Sequence, residues 1–164
     1  MRRDPDTNRP SVDRSNLPRG MRPELILYVE DDDDNWEVAE LRLGKTYEMV
    51  RAANAEQACQ LIRERRTEID LILMDIELRG SELNGIELTE LLRGNNLSNL
   101  LHLPSYARNL PTLSKPVIYV TAHGARFSAV TLMLSGADKV ITKPVDFADL
   151  QRALSQLLLE RTSG

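Results

Sequence analysis

Cysteine is nearly absent from this chain: Cys59 is the only one among 164 residues. An internal disulfide is therefore excluded, and a lone thiol suits a reducing compartment, which makes the cytoplasm the expected location. Long apolar runs are missing as well. The longest, such as Leu71 to Met74 and Pro116 to Val120, span four or five residues, far short of the roughly 20 that a membrane-spanning helix needs. Met1-Arg2-Arg3 leads into no apolar stretch, so no secretory signal is read. Positive charge is not in excess either, since a net charge of −4 argues against general nucleic-acid binding. The two histidines, His102 and His123, have no second ligand at metal spacing and read as ordinary surface or loop residues. What remains is one domain's length with 41% hydrophobic and 28% charged residues, ordinary values for a globular protein with room for a core.

The charge is unevenly placed. Residues 1–23 carry six Arg against three Asp, a net of +3, which leaves −7 on the rest of the chain. That segment has few apolar residues and several Pro, so it is expected to be a disordered basic tail. From Leu25 onward, short apolar runs alternate with helical periodicity. The pattern predicts strands at Leu25–Val29, about Tyr47–Ala52, Leu71–Met74, Val117–Val120 and Val140–Ile141. Between them it predicts helices from Asn35 to Leu43 with one broad buried face, from Asn54 to Arg65, from Gly85 to Leu92, from Ser128 to Leu134, and from Phe147 to about Leu159. Strands alternating with helices imply a parallel sheet covered on both faces, an α/β domain over 24–160 followed by a short tail at 161–164. Residues 94–115 break the rhythm. Ordinary connections in such units run about 2–6 residues, so this is an insertion, with a helical turn expected near Leu97–Leu103.

In open parallel sheets, ligands sit beyond the carboxyl ends of the strands. There the sequence places Glu30 and Asp31 after the first strand, Asp75 at the end of the third, Thr121 at the end of the fourth and Lys143 shortly after the fifth. Two unit charges about 4 Å apart repel by roughly 4 kcal/mol at an effective dielectric near 20. Three ionised acids in one pocket therefore need a cation, or one of them stays protonated. A hard divalent ion such as Mg²⁺ takes oxygen ligands and completes its shell with water and phosphate oxygens. A carboxylate beside it can act as a nucleophile towards phosphorus, while an ammonium and a hydroxyl offset charge on the phosphoryl oxygens. Asp32, Asp33 and Asp34 extend the acidic run, but acids at the start of a helix are favoured by its dipole and serve as caps. An EF-hand loop is excluded, because no Gly stands at the required sixth position.

The pieces YVEDD, LILMD, VTA and GADKVITKP, in this order and spacing, make residues 24 to 159 resemble a bacterial two-component response-regulator receiver domain. The resemblance implies a doubly wound, flavodoxin-like fold, with a five-stranded parallel sheet in order 2-1-3-4-5 flanked by five helices. It implies Asp75 as phosphoacceptor, with Thr121 as the switch hydroxyl and Lys143 pairing with the phosphoryl group. Glu30, Asp31 (the more direct ligand), Asp75 and the Glu77 backbone carbonyl would hold Mg²⁺ or Mn²⁺. It further implies a cis bond before Pro144, open access beside the small Ala122, self-phosphorylation from a phosphodonor and slow autodephosphorylation. The expected partner is a sensor histidine kinase or histidine phosphotransfer protein, the downstream protein target being unspecified. No direct nucleic-acid contact and no membrane insertion are expected, and the protein should be a monomer or weak homodimer. Only Arg161–Gly164 follow the last helix, which reads as a stand-alone receiver if the chain is complete.

Three positions depart from the family pattern. Val140 stands where an aromatic usually couples to the Thr. Arg79 replaces the usual Pro in the loop after Asp75, and that loop reaches its Gly about two residues later. The insertion at 94–115 would lie at the sheet end away from Asp75 unless it folds back. The other function considered is a receiver-like interaction module that docks without phosphorylation, but such modules usually lose the Asp, the Lys or the acidic pair. A haloacid-dehalogenase-type phosphatase fails on strand order, because its nucleophile lies on the first strand.

Overall fold

A computed structural model describes residues 17–95, 102–122 and 127–162. Five parallel strands form one sheet: β1 (Leu25–Val29), β2 (Glu48–Ala52), β3 (Ile69–Asp75), β4 (Val117–Thr121) and β5 (Lys139–Thr142). Their order is β2-β1-β3-β4-β5, with all four pairings parallel. The helices are α1 (Asp33–Leu43), α2 (Ala55–Arg65), α3 (Gly85–Arg93), α4 (Ala129–Leu134) and α5 (Phe147–Thr162). No described helix is long and apolar enough to cross a membrane. Of the expected basic tail, residues 1–16 lie outside the described residues; Arg19–Met21 form a short 3₁₀ turn.

The sheet divides two aliphatic cores. Ile26, Tyr28, Leu71, Leu73, Ile118 and Val120 face one layer, which α1 and α5 cover through Ala39, Leu43, Leu150 and Leu154. Leu27, Val29, Ile72, Met74 and Tyr119 face the other, covered by α2, α3 and α4 through Ala58, Ile62, Leu88 and Leu132. Strands β1, β3 and β4 are buried on both faces, which is why their sequences read as unbroken apolar runs.

Local chemistry sets most boundaries. Asp32 is the N-cap of α1, its carboxylate accepting from the Asn35 amide at 2.8 Å, and Asp33 and Asp34 fill the first turn. Asn54 caps α2 through the Gln57 amide at 2.8 Å. Asn84 and Glu87 cap α3 reciprocally, each side chain satisfying a backbone N–H that the helix itself cannot. Several expectations need correction. Helix α1 starts at Asp33 rather than Asn35, and its buried face is narrow: only Ala39 and Leu43 are buried, while Val38 and Leu41 are exposed. Strand β3 begins at Ile69, and α5 continues to Thr162 instead of ending near Leu159.

The insertion folds back towards Asp75's end of the sheet. Much of the turn expected near Leu97–Leu103 lies outside the described residues; the turn that is described is 3₁₀, at Ser105–Ala107. Leu103, Ala107 and Leu113 are buried against the α2–α3 side. Arg63 donates to the Arg108 carbonyl at 2.8 Å, and the Leu113 amide to Leu92 at 2.8 Å. His102, Leu103 and Pro104 line a cavity of about 220 Å³ with Glu82 and Leu83 of the loop that follows Asp75. Arg93 ties the far end down, donating to the carbonyls of Leu113 (2.6 Å) and Gly136 (3.1 Å) and pairing with Asp138 (3.2 Å).

Candidate functional site

Parallel strands bring their carboxyl ends to one edge, and the five predicted side-chain positions arrive there. Glu30 follows β1 and is fully buried; Asp75 ends β3 at 6% exposure. Carboxylate oxygens of Glu30, Asp31 and Asp75 lie within 4.8 Å of one another. Lys143, just after β5, reaches in between: its Nζ donates to Glu30 Oε2 and Asp75 Oδ2, each at 3.0 Å. Thr121 ends β4 with 1% exposure, and its carbonyl accepts from the Lys143 amide at 2.8 Å. The Lys143–Pro144 bond is cis. Glu77 comes to the site by its backbone, its amide donating to Asp75 Oδ1 at 3.3 Å while its side chain is exposed.

The electrostatics show a pocket short of positive charge. Burial and then the adjacent Glu30 push Asp75 up to about 7, with Lys143 opposing. Burial also pushes on Glu30, but its bond and charge pairing with Lys143 outweigh this and hold it below the ordinary carboxylate range. Lys143 loses some basicity to burial and regains more from its two carboxylates, so it ends above the usual lysine value. One ammonium thus serves two acids, and Asp31 stands beside them. Three oxygen donors and a residual negative charge suit a hard divalent cation, so this donor set fits one.

Two residues that sequence reasoning passed over complete the pocket. The Tyr28 hydroxyl donates to Glu30 Oε2 at 2.9 Å, and burial, then Glu30, raise its phenol. The available signal was parity, since Tyr28 and Glu30 are two apart and strand side chains alternate faces. Arg51, near the end of β2, donates to the Glu30 carbonyl at 3.0 Å and pairs with Asp33 at 2.7 Å. Its place on the strand beside β1 was the clue. Trp36 half-packs edge-on against Tyr28, with ring centroids 6.4 Å apart. Gly85 leaves space no other residue could: a Cβ there would lie 2.1 Å from the Asp75 carbonyl oxygen. His123 lies outside the described residues, and His102 lines the insertion's cavity, away from the carboxylates.

Residues 26–155 match the family described as response regulator receiver domain. The chain belongs to that family. It is 32% identical over 124 residues to the polar-differentiation response regulator DivK of Brucella anthropi, covering 75% of this chain and 86% of DivK. It is 30% identical over 134 residues to the uncharacterized transcriptional regulatory protein YrkP of Bacillus subtilis, covering 80% of this chain and 48% of YrkP. The receiver domain of Francisella response regulator 1452 superposes with a TM-score of 0.67 at 22% identity, over 85% of this chain and 98% of that one. At that identity the likeness speaks to fold alone. As a receiver, the chain is a signalling switch of the two-component class, in which phosphoryl groups come from histidine kinases or phosphotransfer proteins.

Proposed function

We propose that Asp75 accepts a phosphoryl group from a phosphohistidine on a sensor kinase or phosphotransfer protein. A Mg²⁺ ion held by Glu30, Asp31, Asp75 and the Glu77 carbonyl would assist, and Mn²⁺ would substitute for it. The observation that carries this reading is Lys143 bridging Glu30 and Asp75 at 3.0 Å beside a third carboxylate. An Asp75 oxygen bonds to phosphorus as the bond from phosphorus to the imidazole breaks, and the imidazole leaves. Bound divalent metal would offset negative charge on the phosphoryl oxygens. Lys143 Nζ already lies 3.0 Å from one oxygen of the carboxylate that would carry that group, Asp75 Oδ2. Thr121, buried at the adjacent strand end, supplies a hydroxyl that can turn towards it. Ala122 is small and exposed, which leaves the acyl phosphate open to water and to slow hydrolysis. Output then passes to a protein partner or along a phosphorelay.

The test is modification by acetyl phosphate or beryllofluoride with Mg²⁺, read by intact mass for acetyl phosphate. Wild type should gain the mass of one phosphoryl group, and Asp75→Ala should not. Absence of any Mg²⁺-dependent modification of wild type would favour a docking module that works without phosphorylation.

A further inference from the structure

Three cations meet the acidic edge, and each has its own destination. Lys143 is committed to Glu30 and Asp75. Arg51 is committed to the Glu30 carbonyl and Asp33. For Asp31, the side-chain cation among the described residues is Arg79, whose Nε lies 3.9 Å from Oδ2. The Arg79 amide donates to the same oxygen at 3.1 Å, a bond that a proline at this position could not make. The loop then turns at Gly80, whose φ is +73°. Arg79's side chain is 90% exposed, so it is anchored at the backbone and free at its tip. It lines an open cleft together with Asp31, Asp32, Asp33, Asp34, Ala53, Asn54 and Gly80.

We propose that Arg79 is a tethered counter-ion that sets the receiver's discrimination between cation and phosphodonor. At rest the guanidinium partly neutralises Asp31. A divalent ion seating on Asp31 must displace it, so Arg79 weakens cation binding. Once displaced, it remains on the rim of a cleft whose other charged lining residues are four aspartates, beside Asp31, whose carboxylate lies within 4.8 Å of that of Asp75. There it is the positive group that meets a small anionic phosphodonor, so Arg79 favours the donor's arrival. The two effects have opposite signs for the same deletion, which a merely structural role would not produce. The proposal rests on the reading of Glu30, Asp31 and Asp75 as the cation site.

The experiment compares wild type, Arg79→Ala and Arg79→Lys. Mg²⁺ alone is titrated by calorimetry or by Trp36 fluorescence, since Trp36 packs on the tyrosine that bonds Glu30. Arg79→Ala keeps the backbone amide, so any change belongs to the guanidinium. It should bind Mg²⁺ about two- to fivefold more tightly at low salt, as suits an exposed ion pair. The difference should vanish near 1 M salt, where charges are screened within about 3 Å. At saturating Mg²⁺ the same variant should react more slowly with acetyl phosphate by a similar factor, and Arg79→Lys should track wild type in both. Tighter Mg²⁺ binding that is absent at low salt, or an unchanged rate with acetyl phosphate, overturns the assignment. If wild type itself bound no Mg²⁺, the cation-site reading would fail first and this proposal with it.

Discussion

Replacing Asp75 by Asn should stabilise the metal-free protein, by an amount that grows with pH. The carboxyl titrates near 7 in the fold against an ordinary 3.8, because it is buried beside Glu30. The folded state therefore holds this proton more tightly than the unfolded chain does. Between about pH 4 and pH 7 the folded protein binds more protons, so wild-type stability falls as pH rises, at up to about 1.4 kcal/mol per pH unit. Three such units give an upper bound of roughly 4 kcal/mol, and sharing of charge through Lys143 makes about 2–4 kcal/mol the working range. The amide lacks that penalty. Its weaker bond to Lys143 adds an offset, but the offset does not change with pH, so the slope is what tests the idea. Glu30 has the opposite sign, its depressed value costing stability only as pH falls below the ordinary carboxylate range. The measurement is urea unfolding in EDTA from pH 4.5 to 8.5. With m of about 2 kcal/mol per M, the midpoint of Asp75→Asn should move about 1–2 M above wild type across that range. Added Mg²⁺ should flatten the wild-type slope by favouring the ionised carboxylate. A difference between the two proteins that stays constant with pH would refute the claim that Asp75 carries an unbalanced buried charge.

Gly85→Ala gains about 1 kcal/mol of helix propensity but sets a Cβ against the Asp75 backbone, 2.1 Å from its carbonyl oxygen. Overpacking of this kind costs about 1–3 kcal/mol or more, so thermal unfolding should show a net loss and phosphorylation should drop with it; a variant as stable and active as wild type would contradict the packing. Leu103→Ala removes a residue that is 8% exposed in the insertion and should cost about 2 kcal/mol, the low end for a buried leucine. A loss under about 0.5 kcal/mol, within the range of surface changes, would mean the insertion is not part of the folded core.

The sheet was legible because its central strands are buried on both faces and bounded by polar turns, and two caps because Asn54 and the Asp32–Asp34 run stand at the start of helical periods; the Asn84 cap of α3 was not read from the sequence. Helix α1 misled for a physical reason. Val38 and Leu41 fit the apolar period, yet they point to solvent, and periodicity does not distinguish a buried apolar face from an exposed one. The carboxylates and Lys143 were legible because strand ends in a parallel sheet must converge. Arg51 was not, since its partner Asp33 is 18 residues away and only the β1–β2 pairing joins them. The insertion's path depended on contacts between Arg63 and Arg108 and between Leu92 and Leu113, side-chain and turn details that carry no local pattern.

The departure at Val140 is answered by the neighbouring strand. Tyr119 pairs in register with Val140, so the two share one face of the sheet, and Tyr119 is fully buried there. Its hydroxyl lies 2.6 Å from Ser135, the C-cap of α4, whose own hydroxyl donates to Leu132 at 2.6 Å. Thr121 follows Tyr119 by two residues on the same strand, hence on the same face. An aromatic side chain therefore still joins this face of the sheet to α4, but from β4 instead of β5, two residues before the strand end at Thr121. It is anchored by a buried hydrogen bond, and breaking that bond inside the core would leave the phenol hydroxyl unsatisfied at about 1–3 kcal/mol. A ring held in that way resists rotation; if Thr121 acts as the proposed switch hydroxyl, its movement would have to reach α4 through the strand that carries both residues, without an independent swing of a β5 aromatic.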